Sequence, residues 1–208
     1  MKYIDKKVSE YLDSLGARSP VPGGGSAAAL VGAMGAALSS MVAHFTQGKE
    51  GYEKVDKEIK KILLESYRIR ERLSHLVDED IKNYLEVSKA QRTAKLLSKK
   101  ESKEKIVKGA LRKALASSLN ICKSSYRGLL ISRRLAKIGN HYLKSDAHAA
   151  SFFFLASFHA ASLMSQANVT WLKDDRVTSR AEEVLRPLYR ETEKIAKELL
   201  RKDETHSS

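Results

Sequence analysis

The sequence predicts an all-α, up-and-down helical bundle with long helices, formed by a single domain. The chain of 208 residues contains only three prolines and 11 glycines, and no long stretch alternates apolar and polar residues as a half-buried strand does. Apolar residues recur instead at intervals of three and four, the spacing of one helix face. Because a chain of this length can bury a sizeable core, we treat residues 1–208 as one domain with a frayed tail over about 203–208.

Two segments without any charged residue predict the centre of the bundle. Residues 19–48 and 147–172 contain no Asp, Glu, Lys or Arg. Both exceed the roughly 20 residues that cross a membrane, but the first is rich in small residues and the second carries nine polar side chains, which lipid penalises. We therefore expect two central helices and no membrane partner. The aromatic residues of the second segment are predicted to lie in the core: Phe152, Phe153, Phe154, Phe158 and Trp171.

Long segments free of helix breakers predict the remaining helices. A short helix over about Ile4–Leu15 precedes the first charge-free segment. From about Tyr52 to Leu97, apolar residues keep the alternation of a bundled helix, which would be about 70 Å long at 1.5 Å per residue. The helix after it is expected to end at Gly139, and the last helix to kink or break near Pro187.

Three helix starts are predicted from capping residues. Ser98 with Glu101, and Ser179 with Glu182, have the spacing of a capping box, in which the two side chains satisfy free backbone N–H groups. Ser145 is expected to cap the second charge-free helix.

The balance of charged residues predicts a surface that attracts anions. The chain has 38 Lys and Arg against 25 Asp and Glu, a formal net charge of +13, which suits nucleic acid, an anionic membrane or a polyacidic small molecule equally. The single cysteine, Cys122, excludes an internal disulfide framework and a cysteine-built zinc site. Together with a charged rather than apolar start, it predicts a cytoplasmic protein.

The segment Ser19–Ser26 places two prolines before three glycines at the start of the first charge-free helix. Glycines there leave backbone N–H groups open to polar or anionic ligand atoms. Equally, the glycines could serve only the conformation of a tight turn. The segment lacks the lysine of a phosphate-binding loop and follows no strand, so it does not indicate a nucleotide site.

Two aspartates are candidates for acid–base chemistry. Asp80 shares the apolar seam of the long helix with Leu73, Leu76 and Val87. Burial of a carboxylate raises its pKa toward a useful range, although a buried aspartate can also simply pair with an arginine or a helix end. Asp146 opens the second charge-free helix, where capping alone would explain it.

Residues 15–30, which read LGARSPVPGGGSAAAL, and the small residues after them resemble the opening of the formimidoyltetrahydrofolate cyclodeaminase family. That family includes the cyclodeaminase half of formiminotransferase-cyclodeaminase and related bacterial methenyltetrahydrofolate cyclohydrolases. Short matches continue in order to about Asp175: Thr46 with Lys49 and Tyr52, Asp78–Asp80 with Tyr84, Gly139-Asn140, Ser145-Asp146 and Asn168-Val169. The chain departs from the family pattern at Ser98, at His148 and after Val169, where Thr170 to Leu172 replace an expected asparagine.

The resemblance implies an all-α homodimer with a folate pocket near the subunit interface and with no metal or nucleotide cofactor. It implies Asp80 and Asp146 as catalytic residues that handle protons. The implied substrate-binding residues are Pro22, Gly23, Gly24, Gly25, Ser26, Asn140, Ser145 and Asn168. Folates carry one or several glutamates, which would suit the positive surface.

The resemblance also implies the reaction. We expect methenyltetrahydrofolate cyclohydrolase activity, in which water opens 5,10-methenyltetrahydrofolate to 10-formyltetrahydrofolate. The alternative is formimidoyltetrahydrofolate cyclodeaminase, which closes the same ring and expels ammonia. A carboxylate could move the protons in either case. A more distant alternative is a basic helical protein that binds nucleic acid or acts as a scaffold, but it gives no reason for the glycine triplet or for Asp80, so no nucleic-acid partner is expected.

Overall fold

The computed structural model describes residues 2–204, and this part of the chain is all-α, as predicted. No strand occurs in it. Three single 3-10 turns lie at Tyr3–Asp5, Glu53–Val55 and His141–Leu143. The six helices are α1 (Val8–Gly16), α2 (Gly24–His44), α3 (Asp56–Leu96), α4 (Lys100–Ile138), α5 (Lys144–Leu172) and α6 (Asp175–Glu204).

Helices α2 to α5 form an antiparallel, up-and-down bundle. Each packs mainly against two neighbours in the order α2, α3, α4, α5 and back to α2, and α2 also contacts α4 across the bundle. The start of α2 lies beside the middle of α3, with Gly25 against Asp80, and farther along α2 Gly32 lies against Leu73, nearer the start of α3. Short connections join α3 to α4 and α4 to α5, as expected for antiparallel neighbours. Helix α6 packs on the outside, against α4 and α5.

The two charge-free segments form the centre of the bundle. By length and composition, α2 and the segment His141–Leu172 could each cross a membrane, but 61% and 50% of their most apolar stretches are buried within the protein. Small residues allow α2 and α5 to pack closely, since a Cβ on Gly32 of α2 would lie 2.7 Å from the hydroxyl oxygen of Ser157 of α5. Between α4 and α5 the interface is hydroxyl-rich, with hydrogen-bonded pairs Ser125–Ser157, Ser118–Ser165 and Ser132–Ser151.

The helix ends differ from the sequence predictions in two places near the middle of the chain. Lys99 is the N-cap of α4 and no side-chain bond caps this end, so the predicted Ser98–Glu101 capping box does not form. Ser145 lies inside α5 rather than at its cap, because the 3-10 turn before it, anchored by the Asn140 side chain, runs directly into the helix.

The last helix starts earlier and runs farther than predicted. Asp174 caps α6, with its carboxylate accepting the Val177 N–H at 3.3 Å, so the helix starts four residues before Ser179. Pro187 does not break it. Both Pro187 and Glu183, whose carbonyl loses its helical partner, are exposed, so water can satisfy that carbonyl. Of the predicted tail, α6 includes residues up to Glu204, and residues 205–208 lie outside the described part of the chain.

Candidate active site

A cavity of about 180 Å³ lies where the start of α2 meets α3, α4 and the end of α5. It gathers five of the predicted site residues, namely the three glycines, Asp80 and Asn168. The residues that line it are Pro20, Val21, Gly23, Gly24, Gly25, Asp80, Tyr84, Val87, Ala114, Met164, Ala167, Asn168 and Trp171. Predicted residues Pro22 and Ser26 are buried beside this lining, and the Val21–Pro22 peptide bond is cis.

Asp80 lies in contact with the backbone at the start of α2. A Cβ built on Gly25 would lie 2.5 Å from Asp80 Cγ and 2.7 Å from Oδ2, so only glycine allows this approach. The backbone N–H of Ser26 donates to the carboxylate. Asp80 thus occupies the positive end of the α2 dipole, one of the two structural roles considered from the sequence. In the described part of the chain it forms no ion pair with an arginine.

The environment of Asp80 raises the pKa of its carboxyl group toward neutral pH. Burial disfavours the charged carboxylate and raises its pKa from 3.8 to about 6, while the Ser26 N–H acts in the opposite direction. A carboxyl group with such a pKa can both accept and donate a proton near pH 7. By contrast, burial raises the pKa of the Cys122 thiol to about 12, which keeps it a thiol rather than a nucleophilic thiolate.

The remaining predicted residues lie at the opposite end of the bundle. Asp146 is in the first turn of α5 and Asn168 near its end; the 22 positions between them correspond to roughly 33 Å. Ser145 is exposed beside Asp146. One chain therefore does not bring Asp146 and Ser145 to the cavity that contains Asp80.

Asn140, at that same end, uses its side chain to hold a loop. Its Nδ2 donates to the Phe45 carbonyl at 3.2 Å and its Oδ1 accepts the Tyr142 N–H at 3.2 Å. Its backbone N–H donates to Thr46 Oγ1 at 2.9 Å. The motif residues Thr46 and Asn140 thus join the end of α2 to the start of α5.

The aromatic wall of the cavity was not predicted. Trp171 was expected in the core, yet it is 59% exposed and lines the cavity from the last turn of α5. Tyr84 of α3 also lines the cavity and is 43% exposed. Helical spacing could have indicated both: Tyr84 is four residues after Asp80 and Trp171 three after Asn168.

A more open groove of about 530 Å³ lies between α5 and α6, and it includes Arg186, Tyr189 and Arg190. It contains none of the predicted site residues. We treat the smaller cavity as the candidate site, because within the described part of the chain it is where a partly buried carboxyl group of raised pKa meets a helix start and aromatic side chains. A combination of this kind suits acid–base chemistry on a ligand that can pack against aromatic rings.

Comparisons with known proteins identify the family. The sequence model of the formiminotransferase-cyclodeaminase family matches residues 7–187, so the chain belongs to that family, as the sequence motifs predicted. It is 33% identical to a methenyltetrahydrofolate cyclohydrolase of Methylorubrum extorquens, over 88% of each protein. It is 29% identical to rat formimidoyltransferase-cyclodeaminase over 71% of this chain, which is only 28% of that larger protein.

The fold also matches a solved structure. A crystal structure of formiminotetrahydrofolate cyclodeaminase from Thermotoga maritima superimposes with a TM-score of 0.85, at 26% identity and over 95% of both chains. This match supports the bundle architecture over nearly the whole chain.

Proposed function

We propose that this chain is a methenyltetrahydrofolate cyclohydrolase, which hydrolyses 5,10-methenyltetrahydrofolate to 10-formyltetrahydrofolate. The observation that carries the proposal is Asp80, a partly buried carboxyl group with a pKa of about 6 held against the start of α2. The similarity to the M. extorquens cyclohydrolase, over nearly the whole length of both proteins, favours this reaction.

Asp80 would move the protons of the hydrolysis. Its carboxylate removes a proton from water as the water oxygen bonds to the methenyl carbon, and a neutral tetrahedral adduct results. The same group then returns the proton to N5 as the carbon–N5 bond breaks, while the hydroxyl proton of the adduct leaves to solvent. The formyl group stays on N10 and one proton is released overall. General acid–base assistance of this kind is worth about 10²–10⁴ in rate.

The lining of the cavity would hold the substrate. Trp171 and Tyr84 would offer aromatic faces to the flat ring system of the folate substrate. Backbone N–H groups of Gly24 and Gly25 at the start of α2 would receive its polar atoms. The Ser26 N–H is already used by Asp80.

The second candidate is formimidoyltetrahydrofolate cyclodeaminase, favoured by the T. maritima structure. In that reaction N10 attacks the same one-carbon unit and ammonia leaves, so one carboxyl group can serve both reactions. Two assays on the purified protein separate them: loss of methenyltetrahydrofolate absorbance, and ammonia release from formiminotetrahydrofolate. Activity in the first alone supports the cyclohydrolase, activity in the second alone supports the alternative, and failure of both across pH and folate chain length rejects the enzyme.

We further propose that the protein acts as a homodimer in which Asp146 of one subunit approaches the Asp80 cavity of the other. The two groups of motif residues lie at opposite ends of one chain, and an antiparallel pair of chains would bring opposite ends together. The substrate could carry one or several glutamates, for which the net charge of +13 is favourable. The single buried cysteine suits a cytoplasmic protein.

Mixing two inactive variants tests the shared site. Asp80→Asn and Asp146→Asn are each expected to inactivate the homodimer. After unfolding and refolding together, a mixed dimer would contain one site with both aspartates, so activity should return to about a quarter of wild type, because half of the dimers are mixed by random pairing. No recovery in dimers shown to be mixed would mean that the two aspartates do not act in one site between subunits.

A further inference from the structure

The segment before the glycine turn is attached to the helix that carries Asp80. The backbone N–H of Tyr3 donates to Asp78 Oδ1 at 2.6 Å, and that of Ile4 to Oδ2 at 3.4 Å. Helix α1 follows this attached turn, and its Tyr11 lies in the core, where it is only 4% exposed. Tyr3 packs edge-on against the Tyr11 ring.

Tyr11 reaches the first turn of α2 directly behind the cavity. Its hydroxyl is 3.0 Å from Ser26 Oγ, and Ser26 is fully buried. The backbone N–H of the same serine donates to the Asp80 carboxylate. A continuous set of contacts therefore runs from Tyr11 through Ser26 to Asp80.

We propose that Tyr11 is a positioning residue for Asp80: by holding the Ser26 hydroxyl, it fixes the first turn of α2 so that the Ser26 N–H stays on the carboxylate. The catalytic consequence rests on the proposed function, but the positioning of Asp80 does not. Gly25 gives this turn no side chain to pack, so the contact between Tyr11 and Ser26 holds the turn from the core side.

The charged and titratable groups near Tyr11, Ser26 and Asp80 determine how the pKa of Asp80 changes when the contact between Tyr11 and Ser26 is lost. From the N-terminal segment Tyr11 and Tyr3 face this region, and Lys6 Nζ lies 4.1 Å from the centroid of the Tyr3 ring. From α3, Asp78 and Tyr84 face it. The cavity residues from α2, α4 and α5 include no titratable group. Burial raises the pKa of Asp80 and the Ser26 N–H lowers it. If the anchor is lost and that bond weakens, the pKa of Asp80 rises.

The experiment compares Tyr11→Phe with Tyr3→Phe. Both variants remove one hydroxyl and keep the ring, but only Tyr11 contacts Ser26. A carbon-13 NMR titration of the Asp80 carboxyl group in the free protein should show a higher pKa in Tyr11→Phe and the wild-type value in Tyr3→Phe. In the folate assay, kcat of Tyr11→Phe should fall roughly 3- to 10-fold, which is the effect of one hydrogen bond. KM should stay within twofold of the wild-type value. The acid limb of the pH–rate profile should move to higher pH.

The possible outcomes separate this inference from the proposed function. Ser26→Ala, which removes the other hydroxyl and keeps the backbone N–H, should reproduce the Tyr11→Phe titration, and it serves if the first variant folds poorly. The inference is overturned if the pKa of Asp80 is unchanged in both Tyr11→Phe and Ser26→Ala. It is also overturned if these variants have a lower melting temperature but an unchanged pH profile. A raised Asp80 pKa in a protein without folate turnover supports the positioning role and rejects the proposed function.

Discussion

Replacing Gly25 by alanine should remove activity while leaving the fold intact. The added Cβ would lie 2.5 Å from Asp80 Cγ and nearer still to Oδ1, whereas ordinary contacts begin near 3.4 Å, so the carboxylate must retreat by at least about 0.9 Å. Asp80 ends in a short rotatable group and can turn away, so the cost in stability is small. Alanine also favours the helix by up to about 1 kcal/mol over glycine. The free energy of unfolding should therefore change by less than about 2 kcal/mol.

The same retreat should be costly for catalysis. A misplacement of about 1 Å can reduce the rate roughly 100-fold, so kcat of Gly25→Ala should fall to about 1% of wild type. The matched control is Gly109→Ala in the interior of α4, where an added Cβ meets nothing within 4 Å. It should keep full activity and gain up to about 1 kcal/mol in stability. A Gly25→Ala variant with wild-type kcat would refute the placement of the reacting group against the α2 backbone.

Other substitutions test the cavity and the distant loop. Asp80→Asn should lower turnover by about 10²–10⁴ and stabilise the protein at pH 7. Because the folded pKa of Asp80, about 6, exceeds its ordinary value of 3.8, wild-type stability declines relative to the variant as pH rises from about 4 to 6. Partial exposure limits the difference to about 1–3 kcal/mol, and urea unfolding at pH 4 and pH 7 measures it; equal differences at both would contradict the burial argument. Trp171→Ala should raise KM roughly 2- to 10-fold through lost aromatic contact, and an unchanged KM would remove this wall from the substrate site. Asn140→Ala should cost about 1–3 kcal/mol of unfolding free energy, since both of its side-chain polar atoms are bonded, and thermal unfolding without a shift would contradict that role.

The bundle could be predicted from the sequence because its signals extend over long segments. The charge-free segments and the long 3-4 alternation each reflect burial over many residues, and α2, α3 and α5 follow them. The position of Asp80 on the seam likewise predicted a carboxyl group directed toward the interior, and its pKa is raised by burial.

Helix starts and the outer limits of the site could not be predicted in the same way. The starts of α4 and α6 depend on one or two residues, and competing caps such as Asp174 and Ser179 differ only in tertiary context. Trp171 has an apolar neighbourhood in the sequence, but its exposure depends on where neighbouring helices end. That Asp146 and Asp80 lie at opposite ends depends on the antiparallel topology, which local patterns do not encode.

The glycine triplet and the aspartate on the seam have one physical cause. In the middle of a helical bundle every backbone N–H is already bonded, so a buried carboxylate finds no backbone donor there. At a helix start, the first N–H groups are free. The Asp80 carboxylate of the neighbouring helix can reach these N–H groups only if no Cβ intervenes, which requires a glycine at position 25. A Cβ at this position would therefore push the carboxylate away from the Ser26 N–H, which is the group that stabilises its charged form.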